Sequence, residues 1–155
     1  MDETAPISVS TLERFVGQPL GTSKWFDMPQ SRIDAFADCT EERHWMHVDV
    51  ARSRTESPFG TTVAHGFLTL SLLSVMTHEF LGRLKANKVV NYGIEKLRFI
   101  APVRAGSRVR NHIKLLSVDR RPDGWVLLGT ENTIEIEGEI KPALTAVCLA
   151  MISET

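Results

Sequence analysis

The longest run of apolar positions, VAHGFLTLSLLSVMTHEFLGRL, predicts the central element of the fold. Its apolar residues are not confined to one face of a helix but surround it almost completely, and a helix of this kind is buried on most faces. We therefore predict a long, buried α-helix from Ala64 to Leu84. The apolar positions are Phe67, Leu68, Leu70, Leu72, Leu73, Val75, Met76, Phe80 and Leu81.

Shorter helices are predicted before this run. In PQSRIDAFADCT, Ile33 and Phe36 stand at helical spacing and Pro29 lies near the start, which favours a helix. HVDVARSRTES is predicted to form a short second helix with Asp49 as its cap. A short helix or turn that ends at Gly17 is predicted for STLERFVGQPL. A weak strand is predicted for TSKWFDM and a loop for SPFGTT.

Alternation of apolar and polar positions follows the central helix and predicts strands. Ile134 and Ile136 alternate with glutamates, and partial alternation runs through SRVRNHIKLLSVDRRPDG. RPDG and EGEIKP are turn sequences that connect antiparallel strands. An antiparallel sheet wrapped around one buried helix is an α+β fold. Because no repeat, low-complexity tract or linker interrupts the chain, we predict a single domain over residues 1–155.

Composition and charge narrow the class of protein. The chain has 155 residues, 43% of them hydrophobic, and a net charge of −1, so no overall field attracts nucleic acid or an anionic membrane. The apolar run near residues 67–76 is shorter than the roughly 20 residues of a membrane span. The N-terminus MDETAPIS lacks a signal-peptide pattern. Cys39 and Cys148 allow a disulfide, but a reducing cytoplasm fits them at least as well.

The stretch EERHWMHVD carries the candidate chemistry, with His44 and His47 three positions apart and acids on both sides. One interpretation is a metal site formed by His44, His47 and Asp49, with or without His65, because imidazole and carboxylate suit zinc or iron. The spacing of the two histidines is not that of a zinc site, and no cysteine stands near them, so we expect no metal. The other two interpretations are that the histidines carry out acid–base chemistry and that they only pack.

The segment FADCTEERHWMHVDVARSRTESPFGTTVAHGFLTLSLL resembles the signature of MaoC-like (R)-specific enoyl-CoA hydratases, which have the hot-dog fold. That signature contains an acid, a polar residue and a histidine, then a loop, then AHG at the start of the hot-dog helix. HWMHVD and PFG…AHGFLTLSLL look most like the NodN-like branch. The resemblance runs from Gln30 to the C-terminus. It implies an antiparallel sheet around a long central helix, and a homodimer, because the family pairs its sheets edge to edge.

The resemblance also implies roles for individual residues. His47 matches the catalytic histidine, and Gly66 matches the glycine whose N–H is the oxyanion donor. Glu42 stands where the family has its catalytic aspartate, and His44 stands where it has Asn or Gln. His65 is either a buried histidine bonded locally at the helix start or part of a pocket wall. We assign it, with His44 and Phe67, to substrate binding.

The function implied by the resemblance is hydration of a 2-enoyl thioester, or dehydration of the (R)-3-hydroxyacyl thioester, without a cofactor. The substrate would be an acyl-CoA or an acyl-carrier-protein thioester. The alternatives are a non-catalytic or weakly active acyl-CoA-binding protein and, as a less favoured option, a thioesterase. Four arginines in RFIAPVRAGSRVR are either solvated charges or a basic rim for the phosphates of coenzyme A: Arg98, Arg104, Arg108 and Arg110.

Overall fold

The computed structural model describes residues 6–153, apart from the side chain of Glu79. The predicted domain of residues 1–155 also includes five residues before this part and two after it. These residues, and with them most of the N-terminus MDETAPIS, lie outside the described part. The fold that follows therefore concerns residues 6–153.

Short elements make up the N-terminal half. The predicted helix in PQSRIDAFADCT is confirmed as α1, and the helix capped by Asp49 is confirmed as α3, because the Asp49 carboxylate accepts a hydrogen bond from the Arg52 N–H at 2.9 Å. STLERF forms a 3₁₀-helix and TSKWFDM supplies a two-residue strand. In chain order the elements are the 3₁₀-helix Val9–Phe15, β1 Pro19–Thr22, β2 Phe26–Asp27, α1 Gln30–Thr40, α2 Trp45–Val48 and α3 Val50–Glu56.

The central helical segment begins two residues later than predicted and is interrupted twice. It consists of α4 Gly66–Ser71, α5 Leu73–Met76 and α6 His78–Arg83, with Leu72 and Thr77 between them in right-handed helical conformation. Thr77 Oγ1 donates to the carbonyl oxygens of Leu73 at 2.8 Å and Ser74 at 3.2 Å. Such bonds from a side chain to the preceding turn compete with the helix ladder and bend it. The single long helix predicted from the apolar run is divided into three short helices, although main-chain bonds of helical spacing cross both divisions, from Met76 N–H to Leu72 and from Leu81 N–H to Thr77, both at 2.9 Å.

The C-terminal half forms the predicted antiparallel sheet. Its long strands are β3 Lys88–Phe99, β4 Arg108–Arg120, β5 Val126–Ile136 and β6 Leu144–Ser153. The sheet order is β1-β4-β5-β6-β3, and β2 also pairs with β4. RPDG closes the β4–β5 hairpin as predicted, because the Arg121 N–H donates to the Trp125 carbonyl at 2.8 Å and Gly124 takes the left-handed φ of +86°. The α+β class is confirmed.

The central helical segment packs on one face of this sheet and buries it. Leu68, Met76 and Phe80 on the helices are at most 5% exposed, and they contact inward residues of β4, β5 and β6 such as Ile134 and Leu144. The predicted burial of the helix on most faces is only partly correct, because the face that carries Phe67 and Val75 is exposed. No helix within residues 6–153 is long and apolar enough to cross a membrane.

The strand at one edge of the sheet is exposed along its whole length. β3 pairs with β6 on one side, and within the described chain nothing pairs with its other side. Apolar side chains nonetheless lie on it: Val89, Val90, Tyr92, Ile94 and Phe99. An exposed apolar edge strand is a site for pairing with another chain.

Candidate active site

His47 lies in α2, where one ring nitrogen is fixed by the backbone. Its Nδ1 is 2.6 Å from the carbonyl oxygen of Val63, in the loop before the central helices. A carbonyl oxygen only accepts hydrogen bonds, so Nδ1 carries the proton in the neutral ring, and Nε2 has a lone pair. Within the described residues Nε2 has no hydrogen-bond partner. The ring is half-buried.

The surroundings of His47 keep its ring uncharged. Burial, which penalises the charged form, is the largest cause and lowers the pKa of His47 below its ordinary value. The Val63 carbonyl works in the opposite direction, the nearby His65 and His44 lower the pKa further, and the charge of Glu42 raises it. Because the lowering causes win, the imidazole is neutral at pH 7 and available as a base.

His65 caps the start of α4 and lies directly against His47. The two rings are stacked, with centroids 3.7 Å apart and an angle of 23° between their planes. The other face of the His65 ring is near Phe36, at 5.0 Å. His65 Nε2 lies 2.8 Å from the carbonyl oxygen of Glu42, and its buried Nδ1 has no partner within the described chain. His65 is only 5% exposed, so it is the buried helix-start histidine of the first interpretation, but its side chain bonds to Glu42, 23 residues away, rather than locally.

Glu42 lies in the short loop between α1 and α2. Glu41 ends α1 with a left-handed φ of +61°, and this turn directs the chain back towards α2. The Glu42 carboxylate is exposed, and its Oε1 accepts a hydrogen bond from the His44 N–H at 3.2 Å. Within the described residues it makes no hydrogen bond to His47, although its charge acts on that ring. The acid is therefore near enough to the imidazole for its charge to raise the pKa of His47.

His44 is exposed and acts mainly as a local cap. Its Nδ1 accepts a hydrogen bond from the Met46 N–H at 3.4 Å, and its ring centroid is 6.2 Å from that of His47. The nitrogen that caps α2 therefore carries the lone pair in this arrangement. The structure places His44 near His47, and its contact with a substrate stays a prediction.

Gly66 is the first residue of α4, where the N–H groups of a helix have no partner inside the helix. The ring of Phe99 covers it, and a Cβ at this position would lie 3.0 Å from that ring. Glycine therefore permits the close approach of Phe99. Phe67, the next residue, is 67% exposed, and its ring meets Phe99 edge-on at 5.9 Å. Phe67 lies at the end of the groove described below rather than beside the histidines.

Gln30 is a site residue that the sequence patterns did not reveal. Its Nε2 donates to the carbonyl oxygen of His47 and to the carboxylate of Asp34, both at 2.7 Å, and its Oε1 accepts a hydrogen bond from Thr62 Oγ1. The amide thus joins α1, the His47 helix and the loop before α4. In the sequence Gln30 is an ordinary polar residue at a helix start, and only its position after Pro29 marks it.

An apolar groove runs along the central helices beside the exposed strand. It has a volume of about 470 Å³ and lies between α4–α5 and strands β3 and β6. Phe67 lies at the end of the groove that is closest to Gly66. The lining includes Leu70, Ser74, Thr77, Ile94 and Cys148.

The arginines of RFIAPVRAGSRVR do not form a free basic rim. Cross-strand and turn carboxylates pair with three of them: Arg104 with Glu139 at 3.1 Å, Arg110 with Glu135 at 2.7 Å, and Arg108 with Glu137. These glutamates neutralise the charges that coenzyme A phosphates would need. For these three residues the interpretation as solvated surface charges is therefore the better one.

Part of the donor set considered for a metal site already has partners within the protein, although Nε2 of His47 has none in the described part of the chain. His47 Nδ1 bonds to Val63, His65 Nε2 bonds to Glu42, and the Asp49 carboxylate caps α3. Within residues 6–153 no group of three or more His, Cys, Asp or Glu side chains is placed to hold a metal ion.

Comparison with known proteins gives a consistent result. A model of the "MaoC like domain" family matches residues 11–132. The chain is 45% identical to nodulation protein N of Rhizobium meliloti over 146 residues, 94% of this chain and 91% of the relative. It is 41% identical to 3-hydroxyacyl-thioester dehydratase Z of Mycobacterium tuberculosis over 139 residues, 90% of this chain and 91% of the relative.

Solved structures agree with the fold. An (R)-hydratase from A. caviae involved in PHA biosynthesis superposes with a TM-score of 0.68 at 25% identity, covering 87% of this chain and 94% of that protein. The antiparallel sheet with helices on one face is thereby the hot-dog fold that the sequence resemblance implies.

Proposed function

Because this chain belongs to the MaoC-like dehydratase family, we propose that it is a hydro-lyase that interconverts 2-enoyl and (R)-3-hydroxyacyl thioesters. The observation that carries the proposal is the state of His47. Its Nδ1 is fixed on the Val63 carbonyl, its Nε2 is open, and its ring is neutral beside the carboxylate of Glu42. A neutral imidazole and a carboxylate near one another are the groups that this reaction requires.

Hydration divides one water molecule across a carbon–carbon double bond. The water oxygen bonds to C3, C2 receives a proton, and the water loses one, so atoms and charge balance over the reaction. His47 Nε2 accepts the proton as the water attacks, and Glu42 accepts a hydrogen bond from the same water and orients it. The carboxylate–imidazole pair then returns a proton to C2. Dehydration is the same sequence in reverse.

Gly66 supports the thioester. As C3 is attacked, negative charge collects on the thioester oxygen, and a fixed N–H donor stabilises that charge more than the uncharged ground state. The Gly66 N–H at the start of α4 is such a donor. In this assignment the acyl chain follows the central helices from Phe67 into the 470 Å³ groove. The apolar lining of the groove matches an aliphatic chain.

The direct test is turnover of 2-enoyl-CoA thioesters. We expect purified protein to remove the enoyl absorbance of crotonyl-CoA or of a longer 2-enoyl-CoA, and to accept the (R)- but not the (S)-3-hydroxyacyl-CoA in the reverse direction. Acyl-CoA binding measured by calorimetry without any turnover would instead identify a binding protein. Release of free CoA thiol would identify a thioesterase. Either of these results would overturn the hydro-lyase assignment.

We further propose that two copies pair through β3, because its outer edge and apolar side chains are exposed in the single chain. Edge pairing of two such strands would extend the sheet across two chains. The two free cysteines, Cys39 and Cys148, fit a reducing cytoplasm as the place of action.

Charge on this edge should separate the two copies. Val90 is 52% exposed on β3, and Val90→Lys places a cation where the strands would meet, so we expect the mass in sedimentation equilibrium to fall from two chains to one. Val16→Lys is the matched control, because Val16 is 41% exposed but follows the 3₁₀-helix rather than lying on β3. A wild-type protein that sediments as a single chain contradicts the pairing.

A further inference from the structure

We propose that His65 is a positioning residue for the reaction: it holds the Glu42 loop and the His47 ring together as one unit. This inference rests on the proposed function and replaces the assignment of His65 to substrate binding. The inference rests on three contacts of the His65 ring: the stack on His47, the hydrogen bond to the Glu42 carbonyl and the packing against Phe36.

The stack fixes the plane of the His47 ring. Its hydrogen bond to Val63 leaves the ring free to rotate about that bond, and the direction of Nε2 would change with such a rotation. The His65 ring, 3.7 Å away and nearly parallel, blocks one side. His65 itself cannot turn, because Phe36 lies on its other side and the residue is buried. The lone pair of His47 is therefore held in one direction.

The hydrogen bond of His65 fixes the second catalytic group. The carbonyl oxygen of Glu42 accepts, so His65 Nε2 carries the proton and the buried Nδ1 does not. This is the opposite tautomer to that of His47. The bond ties the backbone of Glu42 to the start of α4, 23 residues later in the chain. The exposed loop is thereby held at the main chain of Glu42, the residue that carries the carboxylate.

Two variants separate these two contacts. His65→Phe retains an aromatic ring against His47 but removes the N–H donor to Glu42. His65→Gln retains an amide donor that can reach the Glu42 carbonyl but removes the ring. Since a displacement of about 1 Å costs on the order of 10²-fold in rate, we expect kcat to fall by about 10- to 100-fold in each variant, while KM changes little because neither contact is made to the substrate.

The pH dependence of kcat/KM distinguishes the positioning role from a general loss of structure. The titratable and charged groups that face His47 are His44 and Glu42 on its own loop, His65 on α4 and Asp34 of α1, which reaches it only through Gln30. In the wild type the rate falls as the pH drops through the lowered pKa of His47, since protonation removes the base. His65→Gln admits water to His47, so this limb should move to higher pH, towards about 6.5. His65→Phe keeps a ring against His47 and removes only the charge effect of His65, so the limb should move less in this variant than in His65→Gln.

The matched control is His78→Gln, the same substitution at an exposed histidine at the start of α6. We expect its kcat and pH profile to equal those of the wild type. Unchanged kcat in both His65 variants, or an identical shift of the pH limb in both, would overturn the positioning role. A fall in activity that circular dichroism and the melting temperature explain by unfolding would also count against it.

Nitrogen NMR of the imidazole rings tests the inference without any turnover. The neutral wild-type protein should show a proton on Nδ1 of His47 and on Nε2 of His65, and His65→Gln should raise the pH at which the His47 ring becomes charged. If the protein hydrates no thioester but these signals appear, the proposed reaction is wrong and the coupling of the rings stands. If the opposite tautomers appear, the inference about His65 is wrong whatever the activity.

Discussion

Replacing His47 with alanine should reduce kcat for hydration of a 2-enoyl thioester by about 10²–10⁴-fold, the contribution of one well-placed acid–base group. The reason is that Nε2 of His47 is the open nitrogen of a neutral ring, and alanine leaves no group there to take the proton of the attacking water. The measurement is steady-state hydration of a 2-enoyl-CoA at pH 7.5, with enzyme concentrations high enough to follow a 10⁴-fold slower reaction. KM should change much less than kcat.

Two further variants make this result specific. His47→Gln retains a polar side chain in the same half-buried place, so it tests the proton transfer with less disturbance of packing, and it should be as inactive as His47→Ala. His78→Ala removes an exposed histidine at the start of α6 and should leave kcat unchanged. A loss of less than about tenfold in both His47 variants would show that another group acts as the base.

Replacing Glu42 with glutamine should cost a similar factor, about 10²–10⁴-fold in kcat. Glutamine has the same shape and retains an oxygen that can accept the His44 N–H bond, so the loop keeps its local contact while the negative charge is lost. Water is then oriented less strongly, and the imidazolium that forms on His47 loses its neighbouring carboxylate. The neighbouring Glu41→Gln, at the exposed end of α1, is the matched control and should retain full activity.

Glu42→Asp tests whether the longer acid is in its working position. Aspartate keeps the charge but moves the carboxylate by roughly 1 Å, which can cost about 10²-fold. We expect a loss between that of Glu42→Gln and the wild type, because the Glu42 carboxylate is anchored by the His44 N–H at its present length. A gain of activity in this variant would show that the glutamate holds its carboxylate away from the water in the natural chain.

Local patterns in the sequence were sufficient for most of the fold. The helical spacing of Ile33 and Phe36 predicted α1, Asp49 predicted the start of α3, and RPDG predicted the β4–β5 hairpin, because each signal acts through neighbours in the chain. The continuity of the central helix was not predictable from its apolar pattern. Thr77 donates to the preceding turn at the second division of the segment, and a threonine can also lie in a helix without making such bonds.

The contacts of the candidate site were harder to predict from the sequence, because they join segments that are far apart in the chain. The resemblance directed attention to Glu42, His47 and Gly66, but the stack of His65 on His47 depends on how the start of α4 packs against α2. The pairing of Arg110 with Glu135 depends on strand register in the same way. A motif fixes the order of such residues along the chain and leaves their contacts to the tertiary structure.

The hydrogen bonds that fix the tautomers of His47 and His65 are both made to main-chain oxygens. Val63 holds His47, Glu42 holds His65, and Gln30 reaches the carbonyl of His47. Every amino acid supplies the same oxygen, so the side chain at position 63 can vary among related proteins without weakening the tautomer of the base. A comparison of sequences would therefore not detect the hydrogen bond between His47 and the Val63 carbonyl. An insertion or deletion in the loop before α4 would disturb this bond more than any single side-chain substitution there.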